Sequence, residues 1–126
     1  MFSELEDLLS PICRVYDTDV PETPRFPYIV LWGGNASPHP EQSVASRIDG
    51  VLDRVGVTVA AGTPEGARIV HQRARQVLQP GGFPLDIGGF TLKLVDHQPV
   101  QVDRQETIIG TNRHPAYCVD IYQVAK

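Results

Sequence analysis

Hydrophobic residues change their spacing several times along this chain, and each spacing predicts a different element. Near the start, Leu5, Leu8 and Leu9 recur at helical spacing. They follow Ser3, whose hydroxyl suits an N-cap. The acidic residues Glu4, Glu6 and Asp7 lie where negative charge stabilises the first turns of a helix. We therefore predict a short helix over residues 3–9.

Several later segments have the pattern of strands. The run from Tyr28 to Trp32 is apolar throughout, which predicts a central strand covered on both faces. Residues 51–60 end in valines at every second position, so we predict a half-buried strand there. A short strand or extended piece is expected at residues 13–16, and a last strand at 117–124.

The period changes again after the alternating valines. Thr63 suits an N-cap and Pro64 fits the first helical position. The apolar residues that follow recur at helical spacing, and they are Ala67, Val70, Ala74, Val77 and Leu78. We therefore predict a helix over residues 64–79, which stops at residues 80–82 (PGG).

The order of these elements predicts the fold class. Gly88 and Gly89 separate two alternating segments, as in a two-residue hairpin, and we expect strand pairing to continue into residues 100–102. Residues 33–48 predict a long polar loop, or a loop with a weak hairpin in it. We expect an α+β fold in a single domain, residues 1–126: a mostly antiparallel sheet with a short N-terminal helix and one longer helix packed on one face.

Composition narrows the class of protein. The net charge is −4, which argues against bulk nucleic-acid binding, because neutralising phosphates needs a basic surface. No apolar run approaches the roughly 18 residues that span a bilayer, and the acidic start is unlike a signal peptide. We expect a protein that stays in the cytoplasm or leaves it inside a larger assembly. Cys13 and Cys118 are expected to be reduced thiols, with a disulfide between them as the alternative.

No motif in the sequence predicts catalysis. The four histidines include no HExxH pair, the glycine pairs lack phosphate-loop spacing, and no serine lies in a GxSxG elbow. A metal site of His97, Asp103 and a third ligand is conceivable, but solvated loop residues explain both better. Cys118 lies inside a predicted strand, where core packing is the better explanation. We predict no catalytic residue, no cofactor and no metal site.

Two features are candidates for contact with another subunit. Arg68, Gln72, Arg75 and Gln79 form one stripe along the longer helix. The stripe is either a solvated helix face or an electrostatic contact with an acidic surface on a neighbouring subunit. Trp32, at a strand end, is the aromatic residue most expected at an interface. The candidate interface residues are therefore Trp32, Arg68 and Arg75.

A family resemblance rests on the order of these segments and on their residue preferences. They are a proline-rich entry into an apolar strand (24–31, PRFPYIVL), alternating valines (55–59, VGVTV), a helix start with Thr63 and Ala67, and a closing segment (115–122, PAYCVDIY). In these features, over residues 5–124, the chain resembles the tail terminator proteins of long-tailed bacteriophages, especially those of phages that infect actinobacteria.

The resemblance implies a structural virion protein of the tail–neck region, assembled in the host cytoplasm. Proteins of this family form a hexameric ring that caps the tail tube, ends tail polymerisation and joins the tail to the head connector. The implied partners are further copies of the chain, the major tail tube protein and the connector or stopper protein. DNA only passes through the lumen, and no membrane is involved. The alternatives are another neck protein, such as a connector or stopper, and a small cytosolic enzyme or ligand-binding domain.

Overall fold

In a computed structural model of the chain, residues 2–22, 24–33, 51–108, 111 and 113–125 are described, and at 51–53 the backbone alone. The elements are α1 (Phe2–Leu9), β1 (Arg14–Asp17), β2 (Tyr28–Gly33), β3 (Val51–Ala61), α2 (Pro64–Leu78), a 3-10 turn (Pro80–Gly82), β4 (Leu85–Ile87), β5 (Phe90–Val102) and β6 (Ala116–Ala125). The helices and strands predicted from the sequence are present close to their expected bounds. The predicted loop at 33–48 lies outside the described residues, apart from its first residue.

The strands form one six-stranded sheet in the order β1-β2-β3-β6-β5-β4. β1 and β2 run parallel, and the other neighbouring pairs are antiparallel. The predicted α+β class, with a mostly antiparallel sheet, a short N-terminal helix and a longer second helix, is confirmed. β6 lies inside the sheet between β3 and β5, so the last strand of the sequence supplies part of the core.

The strand predicted at β2 is present, but the prediction that both of its faces are covered is wrong. β2 lies one position in from the sheet edge, beside β1. Ile29 and Leu31 are fully buried, whereas Tyr28 and Val30 are half-buried and Trp32 is exposed. Since side chains of a strand alternate between its faces, one face of β2 is covered and the other stays apolar but partly open.

The main core cluster joins alternate strand residues to the apolar stripes of both helices. Leu5 and Leu9 of α1 are fully buried and Leu8 is half-buried, as the spacing predicted. The fully buried residues that the other elements contribute to this core cluster include Ile29, Leu31, Val55, Val59, Leu78, Cys118 and Tyr122. The alternating valines of β3 therefore point into the core, as predicted.

The two helices begin differently. Thr63 caps α2 as predicted, because its Oγ1 accepts the hydrogen bond of the Gly66 N–H at 3.0 Å. Ser3 is not the cap that the sequence predicted, since α1 begins at Phe2 and the Ser3 hydroxyl donates to the Glu4 carboxylate. No helix in the described part of the chain is long and apolar enough to cross a membrane.

The β4–β5 hairpin turns at the predicted glycine pair. Gly88 and Gly89 have φ angles of 58° and 84°, as a two-residue turn with positive φ at both positions requires. β5 then continues to Val102, which confirms the predicted extension of strand pairing.

Candidate functional site

One side chain that is charged at neutral pH lies in the buried row of β6. Along this strand, Ala116, Cys118, Asp120, Tyr122 and Val124 face the interior in alternation. Asp120 is the exception in polarity, and it is 2% exposed. A carboxylate in such a place is costly unless other groups hydrogen-bond to it, so its surroundings are the first candidate for a functional site.

The Asp120 carboxylate is held by groups from three elements. Arg75 of α2 donates to both oxygens, from Nη2 to Oδ1 at 2.8 Å and from Nε to Oδ2 at 3.2 Å. His71 Nε2 lies 2.9 Å from Oδ2, and His97 Nδ1 of β5 lies 2.7 Å from Oδ1. The Tyr122 hydroxyl donates to Oδ2 at 3.2 Å. We call these five residues the Asp120 cluster.

Local geometry brings the cluster together. His71 and Arg75 are four residues apart on α2 and therefore lie on one helix face. β5 is out of simple alternation, because its register with β6 shifts between Leu94 and Asp96 and again between Gln98 and Gln101. The first shift, a bulge, pairs His97 with Asp120. Without the extra residue, the neighbour of His97 would occupy that place.

The charges in the cluster are balanced around an ionised carboxylate. Burial by itself raises the pKa of Asp120, but hydrogen bonds from His71 and Arg75, followed by that from His97, outweigh it and hold the pKa well below its usual range. The same pairing raises the pKa of Arg75. Burial, with Asp120 nearby, raises the pKa of the Tyr122 hydroxyl. The arrangement is a buried carboxylate with its lone pairs occupied, paired with an arginine whose side chain is partly solvated.

The cluster also contains metal-ligand atoms. Ligand atoms of His71, His97 and Asp120 lie within 4.8 Å of one another, and imidazole with carboxylate is a donor set that suits Zn²⁺. However, Arg75 holds both carboxylate oxygens, and its fixed positive charge opposes a cation at the same place. The two imidazole rings stack with centroids 5.1 Å apart. The residues thus fit a hydrogen-bonded carboxylate better than a metal centre.

The buried thiol beside the cluster is not set up as a nucleophile. Cys118 is fully buried, and burial, followed by the charge of Asp120, raises its pKa to about 11. Burial likewise raises the pKa of Cys13 to about 11. Both cysteines are free thiols, as expected from the sequence. Because the thiolate is the reactive form, neither residue supports covalent chemistry near neutral pH.

A second candidate region lies on the other face of the sheet, around Trp32. Trp32 pairs in register with Gly56 of β3, and its ring covers that glycine so closely that a Cβ there would overlap ring atoms. Trp32 Nε1 donates to Thr58 Oγ1 at 2.8 Å. The indole is thus fixed in place while it remains 37% exposed.

Next to Trp32, the same face carries a groove of about 570 Å³, which we call the acidic groove. Thr58 lines it and is also the partner of Trp32. Its aromatic lining is Phe26, Tyr28 and Tyr117, and its carboxylates are Glu22, Asp103 and Glu106. No Lys or Arg is among its described lining residues. Burial and then the charge of Glu106 raise the pKa of Tyr28.

The structure places the predicted arginine stripe in two environments. Arg68 and Gln72 are exposed, whereas Arg75 is drawn into the Asp120 cluster. Gln79 is buried, where its Nε2 donates to the Leu92 carbonyl and its Oε1 accepts from the Leu94 N–H. The first half of the stripe is therefore exposed, Arg75 is partly solvated and paired with Asp120, and Gln79 is buried. The subunit contact stays a prediction.

The conceivable metal set of His97 and Asp103 is not brought together. His97 belongs to the Asp120 cluster, and Asp103 lines the acidic groove. The interpretation of His97 as a solvated loop residue is also wrong, since it lies on β5 and pairs with Asp120. The sequence held one usable signal for the cluster: Asp120 sits in an alternating apolar strand, where a carboxylate needs partners.

In comparisons with known proteins, no family model and no curated sequence matches the chain.

Proposed function

We propose that the chain is a structural virion protein of the tail terminator kind, which assembles as a ring on the end of a phage tail tube. In that role it ends tail polymerisation and joins the tail to the head connector, without catalysis. The ring, the tube and the connector come from the family resemblance. The observation that carries the proposal is the partly open apolar sheet face around Trp32.

That face has the properties of a contact surface. Trp32 is held rigidly by Gly56 and Thr58 but keeps 37% of its surface exposed. Rigid, partly exposed aromatic residues are enriched where proteins bind each other. The half-buried Tyr28 and Val30 precede it on the same face, so the open apolar area extends along β2. A protein that works through neighbours needs such a surface.

The non-catalytic part of the proposal is supported by the Asp120 cluster. A general acid or base must exchange a proton with a substrate. The Asp120 carboxylate is ionised, buried and committed to five donated or shared hydrogen bonds. The hydrogen bonds of Asp120 thus join α2 to the sheet, which is a structural role.

The test is assembly of the purified protein with and without purified tail tubes. We expect particles of hexamer mass, built from chains of 13.9 kDa, or rings at one end of each tube, when samples are studied by sedimentation velocity and negative-stain electron microscopy. A ring on isolated connectors but never on tubes would favour the alternative, another neck protein. A protein that remains monomeric under all of these conditions would contradict both.

The ligand-binding alternative has one observation in its favour. A hollow of about 670 Å³ beside α2 reaches His71 and Arg75, next to the three metal-ligand side chains. Titration calorimetry with Zn²⁺ alone separates the two functions. We expect no binding at micromolar concentrations, because Arg75 occupies the carboxylate. Stoichiometric binding that is lost in His71→Ala would favour the ligand-binding alternative.

A further inference from the structure

The solvated surface of α2 combines positive charge with an exposed aliphatic side chain. Ile69 is 46% exposed. Arg68 adjoins it in sequence, and Arg73 lies one turn further along the same side. Within the described residues, no ion pair or hydrogen bond engages the guanidinium of either arginine. Glu65, which is also exposed, lies one turn before Arg68 and Ile69, so this surface carries two cations and one anion. We call Arg68, Ile69 and Arg73 the basic helix surface.

The acidic groove has the complementary composition. Its walls are apolar and aromatic, and Glu22 and Glu106 are exposed carboxylates among its lining residues. Ion pairs are absent for these two carboxylates in the described part of the chain. One surface thus offers an aliphatic side chain flanked by cations, and the other offers an apolar hollow flanked by anions.

These two surfaces point away from each other within one copy. The groove residues Tyr28 and Val30 alternate along β2 with Ile29 and Leu31, which belong to the core cluster that also contains the buried side of α2. Since alternate residues of a strand face opposite sides of the sheet, the groove opens on the side away from those contacts. A helix surface cannot reach the groove of its own chain, so its complement must come from another molecule.

We propose that the basic helix surface of one copy docks into the acidic groove of the next copy, an inference that rests on the proposed ring. Ile69 enters the apolar part of the groove, and Arg68 and Arg73 pair with Glu22 and Glu106. The contact joins two different surfaces, so it is heterologous and repeats from copy to copy, closing into a ring when the rotation allows. It also brings the neighbour close to Trp32, because Thr58 belongs to both the groove and the Trp32 contact.

Charge decides between this contact and a twofold one. In a symmetric dimer through either surface, like would face like: groove carboxylates would meet carboxylates, or arginines would meet arginines. Facing like charges disfavours association, while opposite charges raise its rate and specificity. The head-to-tail contact is therefore the arrangement in which both surfaces of a copy are satisfied by identical copies.

The experiment is a charge swap measured on the full chain. Variant H carries Arg68→Glu and Arg73→Glu, variant G carries Glu22→Lys and Glu106→Lys, and variant HG carries all four substitutions. We expect H and G each to weaken self-association at least about tenfold, and HG to return to within about threefold of the wild type. Sedimentation velocity follows the protein alone, and electron microscopy counts capped ends of purified tail tubes.

Matched controls separate charge at these surfaces from charge in general. Arg14→Glu and Asp7→Lys change exposed residues of β1 and α1, and we expect neither to alter association. Circular dichroism checks that every variant is folded. Equal assembly of wild type, H and G overturns the docking contact while leaving the proposed ring intact. Rings of G that no longer bind tubes also overturn it, because the groove then belongs to the tube protein. Absence of any wild-type assembly overturns both.

Discussion

The two faces of the sheet differ in which kind of side chain lies in an unfavourable environment. On the inner face, Asp120 is a charge in an apolar place, and four neighbouring side chains surround it with hydrogen bonds. On the outer face, Trp32 is an apolar group near water, and only part of its surface is covered. The inner face is complete within one chain, whereas the outer face leaves apolar surface that the proposed partner would cover. The difference locates stability in the first region and proposed function in the second.

The sharpest way to break the inner region is to remove its centre. Asp120→Ala leaves the Arg75 guanidinium without its partner, together with the polar atoms of His71, His97 and Tyr122. Because the Arg75 side chain is partly solvated, its charge can be rehydrated, and the main cost is the loss of hydrogen bonds to buried groups such as the Tyr122 hydroxyl. We expect a loss of about 2–3 kcal/mol in urea unfolding at neutral pH. Asp7→Ala, at an exposed carboxylate, is the matched control and should change the unfolding free energy by less than about 0.5 kcal/mol. A similarly small loss of unfolding free energy for both variants would show that the Asp120 cluster does not stabilise the packing of α2 on the sheet.

A pair of identical substitutions tests the boundary between the two regions. Arg75→Glu places a carboxylate against Asp120, and we expect it to cost about 2 kcal/mol, since this arginine is partly solvated and its pairing is screened. Arg68→Glu should leave the unfolding free energy within about 0.5 kcal/mol of the wild type and act on assembly instead. Chemical unfolding and sedimentation of both variants check the prediction. Equal stability of the two would contradict the division of the arginine stripe.

The outer region is tested through the indole ring. Gly56→Ala introduces a Cβ into the space of the Trp32 ring, so the ring must leave the sheet. We expect a loss of about 1–2 kcal/mol and a red-shifted emission, which reports on this position because Trp32 is the only tryptophan in the chain. Gly62→Ala, where a Cβ meets ordinary contact distances, is the control. Unchanged emission in Gly56→Ala would mean that the ring does not cover the glycine in solution.

Local patterns predicted the elements, and non-local contacts decided the site. The α2 helix followed from its spacing and from Thr63, because the cap and the period are written within a few residues. Arg68 and Arg75 are two helical turns apart and hence on nearly the same face, so no periodicity could tell them apart. What separates them is the Asp120 carboxylate of β6, which contacts Arg75 but lies 45 residues away from it in the sequence.

The same limit explains His97 and β2. The position of His97 depends on a bulge, which exists only relative to the partner strand. The run of apolar residues in β2 was read as a strand with two covered faces, but apolar residues also stand at surfaces that bind partners. Sequence patterns therefore gave the class of fold and the strand itself. They could not predict which apolar face of β2 is left partly exposed.

The smallest expected effect comes from acid, and it isolates the charge of Asp120. Its pKa is lower in the folded chain than its ordinary value near 3.9, so the stabilisation is present above that value and is lost as the pH falls towards the folded pKa. Asp120→Asn keeps the shape but cannot ionise. The stability gap between wild type and Asp120→Asn should therefore narrow by about 1 kcal/mol between neutral pH and about pH 3. Urea unfolding at several pH values measures the gap, and Asp7→Asn, at an exposed carboxylate of α1, should show a far smaller change. A gap that stays constant with pH would mean that hydrogen-bond geometry, and not charge, joins α2 to the sheet.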